Sequence, residues 1–151
     1  MDEFNTIEKV EELFKSIDGV GKDNIYFLAC QDKQKVSGMA QGMEYPYDGL
    51  LINDNEKGIT MFYLKAGALS GLFTLSNPSK MTLEKEKHIF IPVTDIKEII
   101  IKNFALFNSK IKRIEINTID GKSHKLYANI EEKDFPYQNP NFTKFLEKYS
   151  K

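Results

Sequence analysis

Tryptophan is missing from this sequence, and cysteine and arginine occur once each, as Cys30 and Arg113. A single thiol cannot close an internal disulfide, so nothing in the chain is built for an oxidising compartment. A single guanidinium leaves lysine to supply all other positive charge. Lysine is a poor substitute for the arginine fork in bidentate phosphate or base-edge recognition. No stretch approaches the ~20 apolar residues of a helical membrane span. The opening Met1-Asp2-Glu3-Phe4 is acidic and leads into no apolar run, so the expectation is a cytoplasmic protein without a secretory signal. Net charge is also scarce: 21 basic against 22 acidic residues give −1. That balance argues against a whole-protein electrostatic grip on nucleic acid.

What is present suits one folded domain. The chain has 151 residues, 41% hydrophobic and 28% charged, enough to bury a core and too apolar for a disordered tail. Eleven Phe and seven Tyr carry the aromatic packing. Charge is uneven, −7 over residues 1–56 and +6 over residues 57–151, which allows a mildly basic face on the later half.

The hydrophobic spacing sets out the elements. Ile7, Val10, Phe14 and Ile17 recur at steps of three and four, predicting a helix over 5–18 that is capped by Asn5 and stopped at Gly19. This helix has one apolar stripe and must lie on the main domain or on a partner. From Asn24 the signal changes to strands. Ile25–Cys30 is a short apolar run, and Leu50–Ile52 and Ile59–Leu64 flank the loop 53–58 as a hairpin. Residues 31–46 and 65–80 are ambiguous, with a strand at Leu72–Leu75. Ile89–Val93 and Asp95–Lys102 read as strands on either side of a bend. Ile111–Thr118 and Lys122–Ile130 alternate with period two around Asp120-Gly121, the strongest hairpin signal in the chain. Phe142, Phe145, Leu146 and Tyr149 form the stripe of a final helix starting at Asn139-Pro140. Too short to stand alone, it must bury that stripe.

Strands without intervening helices, then one amphipathic helix, is the order of pleckstrin-homology-like domains. Asp48-Gly49-Leu50-Leu51-Ile52 leading to Ile59-Thr60-Met61-Phe62-Tyr63 resembles the second and third strands of bacterial members. Ile91-Pro92-Val93-Thr94-Asp95-Ile96-Lys97-Glu98-Ile99 resembles their mid-domain step. Ile114 to Lys122, followed by Lys125-Leu126-Tyr127-Ala128, resembles their last hairpin. The resemblance covers roughly residues 24–150. It implies a mainly β fold, α+β by content: a bent seven-stranded antiparallel barrel capped by a C-terminal helix. Residues 1–22 would then be an extra N-terminal helix and linker, and residues 23–151 the barrel domain. It implies binding rather than catalysis. Some members hold lipid head groups on basic residues of the first two strands, where this chain offers Lys33 and Lys35.

Chemistry-bearing patterns are sparse. His88 and His124 have no ligand at metal spacing, Asp54-Asn55-Glu56 fails the calcium-loop pattern, and no phosphate loop or nucleophile motif occurs. Cys30 reads as a buried structural residue. No catalytic group, metal or cofactor is therefore expected. Candidate ligand contacts are Lys33 and Lys35, the later Lys110, Lys112 and Arg113, and Phe104 and Phe107 in a polar turn. The expected function is a binding or scaffold module acting by protein contact or self-association. The alternatives are peripheral binding to anionic lipid and a small apolar ligand held inside a lipocalin-like barrel. The third requires an interior not filled by Phe27, Phe62, Phe90 and the last helix.

Overall fold

The computed structural model describes residues 4–31, 49–66, 81–105, 108–132 and 135–150. Among these residues two helices and seven strands follow in the order α1 (Ile7–Lys15), β1 (Ile25–Gln31), β2 (Gly49–Asn55), β3 (Gly58–Ala66), β4 (Met81–Pro92), β5 (Ile96–Ala105), β6 (Asn108–Thr118), β7 (Ser123–Asn129) and α2 (Gln138–Tyr149). A single 3-10 turn, Val93–Asp95, joins β4 to β5. The strands form one antiparallel sheet ordered β4-β3-β2-β1-β7-β6-β5. The mainly β fold with one helix at each end is therefore present. The expected closed ladder is not: among the described residues β4 and β5 are the two ends of the hydrogen-bonded order. The strand expected at Leu72–Leu75 and the stretch 32–46 lie outside the described residues.

Both faces of the sheet centre are covered. Ile25, Phe27 and Ala29 of β1 join Leu50, Ile52, Met61, Ile114 and Leu126 in one core. Phe142 and Phe145 of α2 pack into it, with ring centroids 4.9 and 4.7 Å from Phe27. Tyr26 and Leu28, pointing the other way, join Leu51, Phe62 and Leu64 under α1. Phe14 of α1 meets Phe62 at 5.1 Å and Tyr26 at 5.6 Å. The N-terminal helix thus spends its apolar stripe on its own sheet. Two-sided burial also explains why the β1 and β2 sequences run apolar without alternation.

Local chemistry moves several boundaries. Thr6, not Asn5, caps α1 by accepting from the Lys9 N–H, while Asn5 accepts from the Lys9 ammonium. Asp18 takes the left-handed backbone at φ 59°, one residue before the expected Gly19. The loop 53–58 shrinks to the two-residue turn Glu56-Lys57, with Asn55 paired to Gly58. Asn53, Asp54 and Asn55 are buried strand residues, and their side-chain polar groups other than the Asn53 oxygen find partners inside the protein. Asn53 and Asn55 each donate to the Gly19 carbonyl and the Asn24 side chain. Asp54 accepts from the Lys148 ammonium and the Tyr149 hydroxyl, both at 3.0 Å, which ties the end of α2 to β2. Burial pushes its carboxyl up, against the pull of those two partners.

The α2 N-terminus closes a gap. β1 and β7 pair at two positions, Cys30–Tyr127 and Gln31–Leu126. Beyond them the fully buried Gln138 takes the place of a strand. Its carbonyl accepts from Leu28 N at 2.8 Å, and its amide donates to Leu28 O at 3.1 Å and Asn129 O at 2.7 Å. Asn141 continues the seam by accepting from Tyr26 N. The helix begins at Gln138, two residues before the expected first position at Pro140, and is preceded by Tyr137 rather than by the expected cap Asn139.

Just past β7, burial pushes the Glu132 carboxyl up to about 7, the Asn129 amide only partly opposing it. A carboxyl raised in the folded state binds more protons there than in the unfolded chain between its ordinary range and pH 7. Stability from this group is therefore full below about pH 4.5 and lost as pH rises through 7. Glu132→Gln should match the parent at pH 4 and exceed it at pH 8 by about 1–2 kcal/mol, after discounting for partial solvent access. Urea titrations at the two pH values check this.

Candidate functional site

The candidate contacts expected from sequence are described only in part. Lys33, Lys35 and Phe107 lie outside the described residues, and Phe104 is described only as a backbone position in β5. Lys110, Lys112 and Arg113 all lie on β6. Strand alternation puts Lys110 and Lys112 on the side of the buried Ile114 and Ile116, and Arg113 on the opposite side. The Lys112 ammonium donates to Asn103 Oδ1 at 2.7 Å. Arg113 stands 3.9 Å from Glu115 and directly across from Lys102.

Two other features stand out, one an edge and one a cavity. The end strands differ in character. β4 is broken by a bulge between the Phe62–His88 and Tyr63–Glu84 pairs, a device that blunts sheet edges. β5 keeps a regular register from Glu98 to Asn103 against β6. Its exposed Lys97, Glu98, Lys102 and Asn103 flank the half-buried Ile99, Ile100 and Ile101. Glu98, Ile100 and Lys102 share a face, so opposite charges stand two positions on either side of an isoleucine.

The cavity lies where the sheet folds over on itself. Leu50, Met61, Tyr63 and Ile89 of β2 to β4 face Leu126 and His124 of β7 across a space of ≈ 280 Å³. A second space of ≈ 400 Å³ adjoins it at Ile89 and His124 and runs out between Phe90 and Ile119. Among the described residues, Phe90, Val93 and Ile119 are the large hydrophobic side chains left exposed. Of the four interior groups expected to fill a barrel, only Phe27 and α2 do so. Phe62 faces α1 and Phe90 faces solvent. His124 is half-buried, and burial, then the Lys122 charge, lowers its pKa against the opposing pull of Asp120. Asp120 is held by the Thr118 hydroxyl and the Lys122 N–H, which keep its carboxyl below the usual range.

Glu98, Lys102 and His124 were not among the contacts expected from sequence. The usable signal was parity: His124 lies in phase with Leu126 and Ala128, and Glu98 with Lys102. Cys30 is buried. Among the described residues no group of three His, Cys, Asp or Glu side chains is placed to hold a metal ion, and no helix is long and apolar enough to cross a membrane. No family model, curated protein or solved structure matches the chain.

Proposed function

We propose that the chain is a non-catalytic binding module of pleckstrin-homology-like type, working by self-association through β5. Support for the fold type comes from the strand order, four strands then three, and from the final helix seated on Phe27. The observation that carries the functional reading is the sequence of β5, an end strand among the described residues. When two copies of β5 pair antiparallel about Ile100, each Glu98 lies directly opposite the other copy's Lys102. Ile99 then faces Ile101, and Ile100 faces its own copy. Residues two apart share a face, so a two-fold axis normal to the sheet meets this pattern without a slip. The partner's Glu98 would also relieve the like-charge pair Lys102–Arg113. Main-chain bonds supply attraction and cross-strand pairs set the register. So short an edge buries little area, so the dimer is weak and concentration-dependent.

Sedimentation velocity between about 10 µM and 1 mM tests this. The parent should shift from monomer to dimer. Glu98→Lys puts like charges opposite at two symmetric places and should weaken the dimer by about 30-fold, near 2 kcal/mol. Lys102→Glu should do the same. The double variant restores opposite-charge pairs and should restore the dimer. A parent that stays monomeric throughout, or a double variant no better than the singles, overturns the reading.

A further inference from the structure

Phe4 and α1 are joined to the rest of the protein differently at their ends and in the middle. At the front, Phe4 is fully buried. Its carbonyl accepts from the Tyr137 hydroxyl at 2.7 Å, and its ring stacks on Phe135 at 5.4 Å. At the back, Gly19 is a joint. Its N–H donates to the Phe14 carbonyl of the helix at 2.7 Å, while its own carbonyl is held from the sheet by the Asn53 and Asn55 amides, both at 3.0 Å. The next residues are pinned as well: the Val20 carbonyl accepts from the Lys57 ammonium, and the Lys22 N–H donates to the Glu56 carboxylate. Between these ends α1 rests on the sheet through apolar side chains, with Val10 and Phe14 buried.

The surface beneath α1 is polar at two points that the closed form leaves unmet. Tyr26 and Asn53 stand directly opposite each other on β1 and β2 and share the face that α1 covers. The Tyr26 hydroxyl and the Asn53 side-chain oxygen are buried, and among the described residues no group bonds either of them. Burial, then the charge of Glu11 on α1, pushes the Tyr26 phenol up, so it keeps its proton and remains a donor. A buried polar group left unmet favours any state in which water reaches it. Apolar contact therefore holds the helix down while two groups under it work the other way.

We propose that α1 is a hinged lid: it turns about Gly19 as a unit, Phe4 leaving its clasp on Phe135 and Tyr137, and bares Tyr26, Leu28, Leu51 and Phe62 while the sheet stays folded. Few bonds and a short joint are the marks of a segment that opens below the global unfolding limit. A helix of 9 residues is not stable alone, so the lifted lid loses its amide protection. None of these residues belongs to β5, so the lid stands or falls independently of self-association.

Native-state hydrogen exchange of the full chain, read amide by amide, tests this. In the parent, the α1 amides from Val10 to Phe14 should open together, with protection about 100-fold below that of β2 and β3. Tyr137→Phe removes the clasp hydroxyl and should lower α1 protection about tenfold, with β2 and β3 unchanged. Tyr26→Phe removes the unmet hydroxyl and should raise α1 protection about tenfold, opposite in sign to the loss of a bonded buried hydroxyl. Protection in β2 and β3 shows in each variant that the sheet is folded. Parent α1 amides that exchange in step with β2 and β3 overturn the proposal. So does a Tyr26→Phe variant whose α1 protection is unchanged or lower, or a Tyr137→Phe variant that leaves α1 unchanged or loosens the sheet equally.

Discussion

Gly58→Ala should be the most damaging single-methyl change in this protein, costing about 3–5 kcal/mol and lowering Tm by about 10 °C or more. Gly58 has φ 142°, a region that residues with a Cβ rarely adopt. A methyl there would also sit 2.1 Å from the Ile91 carbonyl oxygen and 2.8 Å from Val93 N. Both are backbone atoms, so no side chain can swing aside. The strand end and the 3-10 turn must move together, and the turn is anchored by the Val93 N–H to the Lys57 carbonyl at 2.9 Å. Gly121→Ala is the control. It too has positive φ, 91°, but a Cβ meets nothing within 4 Å, so only the conformational penalty of about 1 kcal/mol remains. Thermal unfolding of both variants separates steric clash from backbone preference. Similar losses would contradict the close approach at Gly58.

Gln138→Leu should rank second. Leucine nearly matches glutamine in volume, so the core loses no packing, but Leu28 N, Leu28 O and Asn129 O all lose their partner. At about 1–3 kcal/mol for each buried unsatisfied group, and with some relaxation toward solvent, the expected loss is about 3 kcal/mol. Gln138→Glu discriminates further. One carboxylate oxygen still accepts from Leu28 N, while the other faces two carbonyl oxygens it can satisfy only when protonated. Its destabilisation should therefore deepen as pH rises, in contrast to the uniform loss in the leucine variant. Denaturant midpoints at pH 5 and pH 8 decide this. A pH-independent glutamate variant would rule out the seam as drawn.

The sequence was legible where a single face is buried. Ile114, Ile116 and Thr118 against Leu126 and Ala128 alternate, and the hairpin turned at Asp120-Gly121 as expected. The stripe of α2 was equally plain, because Phe142 and Phe145 must be buried together. Reading failed where burial is two-sided or polar. Asn53, Asp54 and Asn55 have the composition of a loop, yet form a buried strand because Gly19, Asn24, Lys148 and Tyr149 reach them from remote positions. Asn139 and Pro140 marked a helix start two residues late, and nothing local reveals that Gln138 serves the sheet. The candidate edge needed knowledge of which strands are terminal, and the cavity needed the fold-over that sets His124 opposite Ile89. Neither is written in a local window.

The seam between β1 and β7 bears on the order in which the polypeptide becomes native. The Leu28 amide waits for a side chain 110 positions later, and its neighbour Tyr26 for one 115 positions later. During synthesis the opening strand emerges early and holds part of its backbone unanswered until the first turn of α2 has left the ribosome. Closure of so distant a loop is slow, and an early strand with idle donors is a target for holdase chaperones or for stray pairing between nascent chains.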